Sequence, residues 1–195
     1  MKWYKYNIND MSEELYNRYL CLMCEKRKSR IEKKTHRPDR ILSVAAEMIL
    51  RKALSEMFGK SEQDIVILED ERGAPYVEGI DVHVSLSHSG VYAVCAIAER
   101  PVGIDIERIR PINMRIAERT FSDGESEYLG AGGEISDEVL LRFYEIWTAK
   151  EAYGKCMGTG ILLKDTTDTT KLDNIVREYF DGYVVTVIEK APKNN

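Results

Sequence analysis

Three strand-length runs crowd together between Val82 and Glu107 with only turn-sized gaps, and this constrains the fold more than any other feature of the chain. Val82-His83-Val84-Ser85-Leu86 alternates apolar and polar side chains, the period of a half-buried strand. Ser87-His88-Ser89-Gly90 interrupts it, Val91–Ala98 reads as a buried strand, and Glu99-Arg100-Pro101 turns the chain into Val102–Glu107. The outline is a β-meander, and helical patterns lie on both sides of it. Upstream, Met11–Glu25 reads as one amphipathic helix with Ser12 as its cap. Pro38-Asp39 then opens a helix from Arg40 to about Phe58, whose Ile41, Val44, Ala45, Met48 and Ile49 form an apolar face, and Gly59 stops it. Ile65–Leu68 is a short strand, and Glu71–Pro75 a turn or loop.

The second half runs from helix to strand again. Arg115–Thr120 is helical, Ser122 caps a helix starting near Asp123, and a break at Gly130, Gly132 and Gly133 follows. A long helix from Ser136 to about Cys156 ends at Gly158-Thr159-Gly160. Ile175–Phe180 and Tyr183–Ile188 flank Asp181-Gly182, a two-residue hairpin signal. The expected fold class is α+β, with two similar α+β halves, 1–104 and 105–195, packed as an intramolecular pseudodimer.

Composition removes several function classes. At 195 residues and 44% apolar, the chain can build a sizeable core, and disorder is excluded as its general state. The longest apolar run, Val91–Ala98, falls far short of the roughly 18 residues of a membrane span. MKWYKYNIND carries no secretory pattern, so a cytoplasmic protein is expected. A net charge of −5 argues against a general nucleic-acid binder. The charge is uneven, because eight basic and two acidic residues put +6 between Lys26 and Arg40. That window is either a solvated face or a clamp for a polyanion or an acidic protein surface. Cys21 and Cys24 have CxxC spacing, but no paired ligands follow Cys95 or Cys156. Packed thiols are expected at Cys21 and Cys24.

Three places could carry chemistry. In Val102–Glu107, period two puts Asp105 and Glu107 on one face, about 7 Å apart, close enough to share a cation such as Mg²⁺. Acidic residues at an exposed strand end are the ordinary alternative. Trp147, Glu151 and Lys155 recur at i, i+4 and i+8 on one helical stripe. They would present an anchor, a carboxylate and an amine from a rigid element, or else a core tryptophan beside a surface ion pair. Ser85-Leu86-Ser87-His88-Ser89-Gly90 offers hydroxyls, an imidazole and backbone donors to a phosphate, or is simply a turn. A Ser/His hydrolase fits poorly, since neither Ser87 nor Ser89 sits in a G-x-S-x-G elbow.

Taken in order, these stretches resemble the 4′-phosphopantetheinyl transferase superfamily, in its larger pseudodimeric type similar to surfactin synthetase activators. The residues that carry the resemblance are Ser85–Ser89, Val102–Glu107, Phe121-Ser122 with Glu125, and Trp147-Thr148-Ala149-Lys150-Glu151-Ala152-Tyr153-Gly154-Lys155. The resemblance implies transfer of the phosphopantetheine arm of coenzyme A to a serine of an apo acyl or peptidyl carrier protein, with release of adenosine 3′,5′-bisphosphate. It implies Mg²⁺ held by Asp105, Glu107 and Glu151 on the coenzyme A pyrophosphate, with Lys155 on the same group. Ser87 and His88 would meet the nucleotide phosphates, Arg40 the 3′-phosphate side, and the Arg72–Tyr76 loop the adenine. Glu151, directly or through a metal-bound water, is the expected proton acceptor from the attacking serine. Ala74 and Thr159 stand where the family often has basic residues, which removes those contacts. A chain with both halves is expected to work as a monomer, with neither nucleic acid nor membrane as partner. A binding-only module with a degenerate site, or a structural adaptor, would make the retained acidic residues coincidental.

Overall fold

The computed structural model describes residues 1–130, 135–160 and 167–192. The expectation for Gly132 and Gly133 lies outside the described residues.

The first sheet has the order β1 (Lys2–Asn7), β5 (Tyr92–Ala98), β4 (His83–Ser89), all antiparallel. A small hairpin of β2 (Ile67–Glu69) and β3 (Pro75–Val77) stands beside it. Three helices precede β2: α1 (Glu13–Leu22), α2 (Glu25–Glu32) and α3 (Arg37–Phe58). Helix α3 has Pro38 in its first turn, where the missing N–H costs nothing. It ends at Gly59, whose φ of 64° is the left-handed conformation a C-cap needs. Its apolar face packs with Cys95 and Ile97 of β5 into the first core.

The second sheet has the order β6 (Val102–Arg108), β8 (Tyr183–Glu189), β7 (Ile175–Phe180). Asp181 and Gly182 turn β7 into β8 with φ of 50° and 76°, the signs of a type I′ hairpin. Helices α4 (Arg115–Thr120), α5 (Asp123–Leu129) and α6 (Asp137–Met157) complete this half. Ser122 and Glu125 close a reciprocal capping box on α5. Side-chain alternation then decides the layers. Ile104 and Ile106 of β6 join Val94 and Ala96 of β5 and Val185 and Val187 of β8 in a core shared by the two sheets. The opposite face of the second sheet packs on α6 through Ala152, Cys156 and Ile188. The result is helix, sheet, sheet, helix: the α+β pseudodimer expected.

Several local expectations need correction. β6 does not continue a meander from β5 but pairs along its whole length with β8. Val94, Ala96 and Ala98 must cover Ile104 and Ile106 face to face, which an in-plane neighbour cannot do. The expected boundary at 104/105 therefore falls inside a continuous strand, and we propose the turn at Glu99–Pro101 as the division. Ser87, His88 and Ser89 are not an interruption; β4 runs through them in register with β5. The helix expected over Met11–Glu25 stops earlier: α1 ends at Leu22 because Met23 and Cys24 are extended, and a separate helix, α2, starts at Glu25. Cys21 is exposed rather than packed, and Cys95 and Cys156 are the buried thiols. Strand β1 and the pairing of β3 are additions to the sequence reading.

Candidate active site

Gly103, Asp105 and Glu107 share the α6 face of β6, so the approach of that helix decides what the carboxylates meet. At Gly103 the two elements almost touch: a Cβ there would lie 1.8 Å from the Ala152 carbonyl oxygen. The close packing brings Lys155 Nζ to 2.7 Å from Asp105 Oδ1 and 2.9 Å from the Ile104 carbonyl. Asp105 Oδ1 also accepts from Ser87 Oγ at 2.7 Å, while its buried Oδ2 has no hydrogen-bond partner among the described residues. The surface pair Glu151–Lys155 is thus replaced by a bond from Lys155 across to β6. Trp147 is half-buried and stacks on Phe143 with centroids 6.1 Å apart.

Glu107 accepts from Ser89 Oγ at 2.8 Å. Its pKa is raised, first by burial and then by the Asp105 carboxylate, against the pull of Ser89, Arg110 and Lys155. Burial pushes Glu151 up to about 7, and Asp105 and Glu107 add to the shift while Lys155 opposes it. The Asp105 charge thus reaches both Glu107 and Glu151, and the Glu107 charge reaches Glu151. Among the described residues, no three such side chains converge tightly enough to form a ready-made cation cage.

A cleft opens beside this edge in two connected parts that share Gly73, Pro75, Leu86 and Lys155. The larger, about 610 Å³, runs between the Asp70–Pro75 turn and the end of α6 at Lys155 and Gly158–Gly160. The smaller, about 360 Å³, is lined by Arg27, Arg30, Lys34 and Lys155, with Ser87 and His88, and among the described residues no carboxylate lines it. Glu69 sits behind, accepting from Arg27 at 2.8 Å and from Arg30. Gly73 takes φ 84°, and a Cβ there would come 2.7 Å from Arg30. Arg72 donates to the Gly158 carbonyl, tying the turn to the far half. Pyrophosphate and nucleotide phosphates suit such a lining.

Comparison with known proteins decides the family. A family model described as 4′-phosphopantetheinyl transferase superfamily matches residues 101–183, and one described as 4′-phosphopantetheinyl transferase, N-terminal, matches residues 10–100. The 4′-phosphopantetheinyl transferase Sfp of Bacillus subtilis (strain 168) is 30% identical over 181 residues, 92% of this chain and 77% of that protein. The chain belongs to the 4′-phosphopantetheinyl transferase superfamily. Two other similar proteins are the transferases gsp of Aneurinibacillus migulanus, 38% identical over 125 residues, and psf-1 of Bacillus pumilus, 35% identical over 131. Those matches take in 64% and 67% of this chain and span 52% and 55% of the two relatives.

Does the transferase site suit the divalent ion its family implies? The donor set is oxygen only, one carboxylate oxygen is buried without a partner among the described residues, and two carboxylates have pKa values raised first by burial and then by their negative neighbours. A hard cation satisfies each of those conditions. Of the expected phosphate ligands, Ser87 and His88 do line the cleft. Arg40 is half-buried in the first turn of α3, its Nε enclosed without an acceptor among the described residues, and is not among the residues lining either part of the cleft. The cations of the Lys26–Arg40 window that do line it are Arg27, Arg30 and Lys34, whose signal in the sequence was the charge of the window as a whole.

His88 titrates in a way that can be checked. Burial, followed by Lys34 and Lys155, lowers its pKa to about 4 from the usual 6.5. The folded ligand-free protein keeps it neutral while the unfolded chain takes up a proton, so its contribution is complete above pH 6.5 and is lost towards pH 4. Glu107 and Glu151, raised, carry the opposite sign. The His88→Gln variant isolates the histidine: relative to wild type it should gain about 3 kcal/mol between pH 6.5 and 4. Urea unfolding at a series of pH values measures this, and parallel profiles would refute it.

Proposed function

We propose that the chain transfers the 4′-phosphopantetheine arm of coenzyme A to a serine hydroxyl of an apo acyl or peptidyl carrier protein, releasing adenosine 3′,5′-bisphosphate. The observation that carries this reading is the junction of the Asp105–Lys155 pair with a two-part cleft whose smaller arm is lined by cations. Asp105, Glu107 and Glu151 would hold Mg²⁺ there, and the ion would draw negative charge from the pyrophosphate oxygens during transfer. Lys155 would place a second positive charge on the same oxygens from a helix that cannot retreat. Ser87, His88 and the α2 arginines would bind the nucleotide phosphates, and the Asp70–Pro75 turn would flank the base.

The carrier serine must lose a proton as its oxygen attacks phosphorus. Glu151 is the acceptor we assign: in the ligand-free site burial and the neighbouring carboxylates hold its pKa up to about 7, so it keeps an affinity for the proton that the bound cation lowers. The proton passes from the serine hydroxyl to a Glu151 oxygen, and the electron pair of the broken P–O bond leaves with adenosine 3′,5′-bisphosphate. The retained Asp105, Glu107, Glu151 and Lys155 speak against a degenerate, binding-only module. Among the described residues no helix is long and apolar enough to cross a membrane, which agrees with a cytoplasmic site of action.

The test is direct. Incubation with coenzyme A, Mg²⁺ and a panel of apo carrier proteins should add the mass of one phosphopantetheine to at least one carrier, and chelation should stop it. No transfer to any fatty-acid, polyketide or nonribosomal-peptide carrier, with coenzyme A bound tightly, would instead favour the binding-only module.

A further inference from the structure

β4 is the edge strand of the first sheet and β6 the edge strand of the second, and among the described residues no main-chain ladder joins them. Two unpaired edges side by side leave peptide groups that need partners. Serines at every second position of β4 reach across to β6, and two of them meet its peptide N–H groups. Ser85 Oγ accepts from Ile104 N at 3.1 Å, and Ser87 Oγ donates to Asp105 Oδ1 at 2.7 Å. Ser89 Oγ donates to Glu107 Oε2 at 2.8 Å and accepts from Arg108 N at 3.2 Å. The period of β4 thus meets β6 with a hydroxyl at each step.

Ser89 differs from the other two. Its one proton and its lone pairs serve both bonds at once, fixing the main chain at Arg108 and the carboxylate of the residue before it. Glu107 is half-buried and has the Asp105 charge beside it, so without that donor its side chain would swing towards water. We propose that Ser89 is a positioning residue that holds the Glu107 carboxylate towards Asp105 and so sets the affinity of the site for its divalent ion. This rests on the reading of Asp105, Glu107 and Glu151 as metal ligands. Partners of metal-bound carboxylates commonly change affinity 10- to 100-fold when removed.

Mn²⁺ binding to the full chain in the presence of coenzyme A, followed by electron paramagnetic resonance of the free ion, provides a readout independent of turnover. Ser89→Ala should weaken Mn²⁺ binding about 10-fold, and Ser89→Thr, which keeps the hydroxyl, should restore it. Tyr183→Phe removes another bond across the same seam, from Val91 N–H to the phenol at 3.1 Å, and should leave Mn²⁺ affinity unchanged. Wild-type affinity in Ser89→Ala would overturn the proposal, as would equal losses in Ser89→Ala and Tyr183→Phe. If Ser89→Ala does not fold, Ser89→Cys, a weak donor, takes its place with the same expectation. Asp105→Ala separates the levels: unchanged Mn²⁺ binding there would sink the metal assignment itself, whereas its loss beside a normal Ser89→Ala sinks only the positioning role.

Discussion

Asp105→Ala is expected to reduce transfer by about three orders of magnitude while the chain stays folded. The carboxylate sits at the centre of the site: one oxygen takes Lys155 and Ser87, and the other is enclosed without a partner among the described residues. On the proposed reading, removing it deletes a metal ligand and frees the ammonium that should lie on the pyrophosphate. The fold loses little, because Lys155 keeps the Ile104 carbonyl at 2.9 Å. Repulsion is also relieved, since Asp105 contributes to the raised pKa values of both Glu107 and Glu151. Mass spectrometry of the carrier and a thermal melt of the variant read the two halves of this expectation. Activity within tenfold of wild type would show that the ion, or the site, lies elsewhere.

Gly103→Ala should damage stability and activity together. The new methyl would lie 1.8 Å from the Ala152 carbonyl oxygen and 2.7 Å from the Cys156 nitrogen, both main-chain atoms of α6. Neither can swing aside, so the helix must lift from the strand. Overpacking of this kind costs about 3 kcal/mol, which lowers the melting temperature of a chain this size by about 10 °C. The same lift carries Glu151 and Lys155 away from Asp105, and a misplacement of about 1 Å can cost about 100-fold in rate. Assays well below the lowered melting temperature separate the two effects. A folded variant with a normal melt would mean that β6 and α6 have slack that the packing does not suggest.

The elements legible in the sequence were those whose signals are local. Gly59 and Gly158 stop long helices with left-handed caps, Ser122 and Glu125 cap a short one, and Asp181-Gly182 closes a hairpin. The stripe of Trp147, Glu151 and Lys155 pointed at a shared face, although Lys155 turned out to reach β6 rather than Glu151. What escaped depended on distant partners. Lys2–Asn7 is a strand only because β5 offers it an edge, and its half-buried pattern of aromatic and polar residues resembles no regular period. β6 looked like the next strand of a meander because sequence shows adjacency but not which face is buried. Ser-His-Ser looked like a turn because hydroxyls favour turns, whereas here they bond sideways to another strand. Arg27 and Arg30 could not be singled out from their window, since Glu69, which orients both, lies far along the chain.

Stitching by hydroxyls has a consequence for fragments of this protein. Expressed separately on either side of Pro101, each half would expose one strand border to water with nothing opposite. Such borders invite pairing with any extended chain nearby, and reunion of the pieces would depend on how much of each is in solution. Covalent continuity removes that dependence by holding the borders together at a high effective concentration. Split versions are therefore expected to be sticky and weakly complementing, and a short tether across the cut should rescue them.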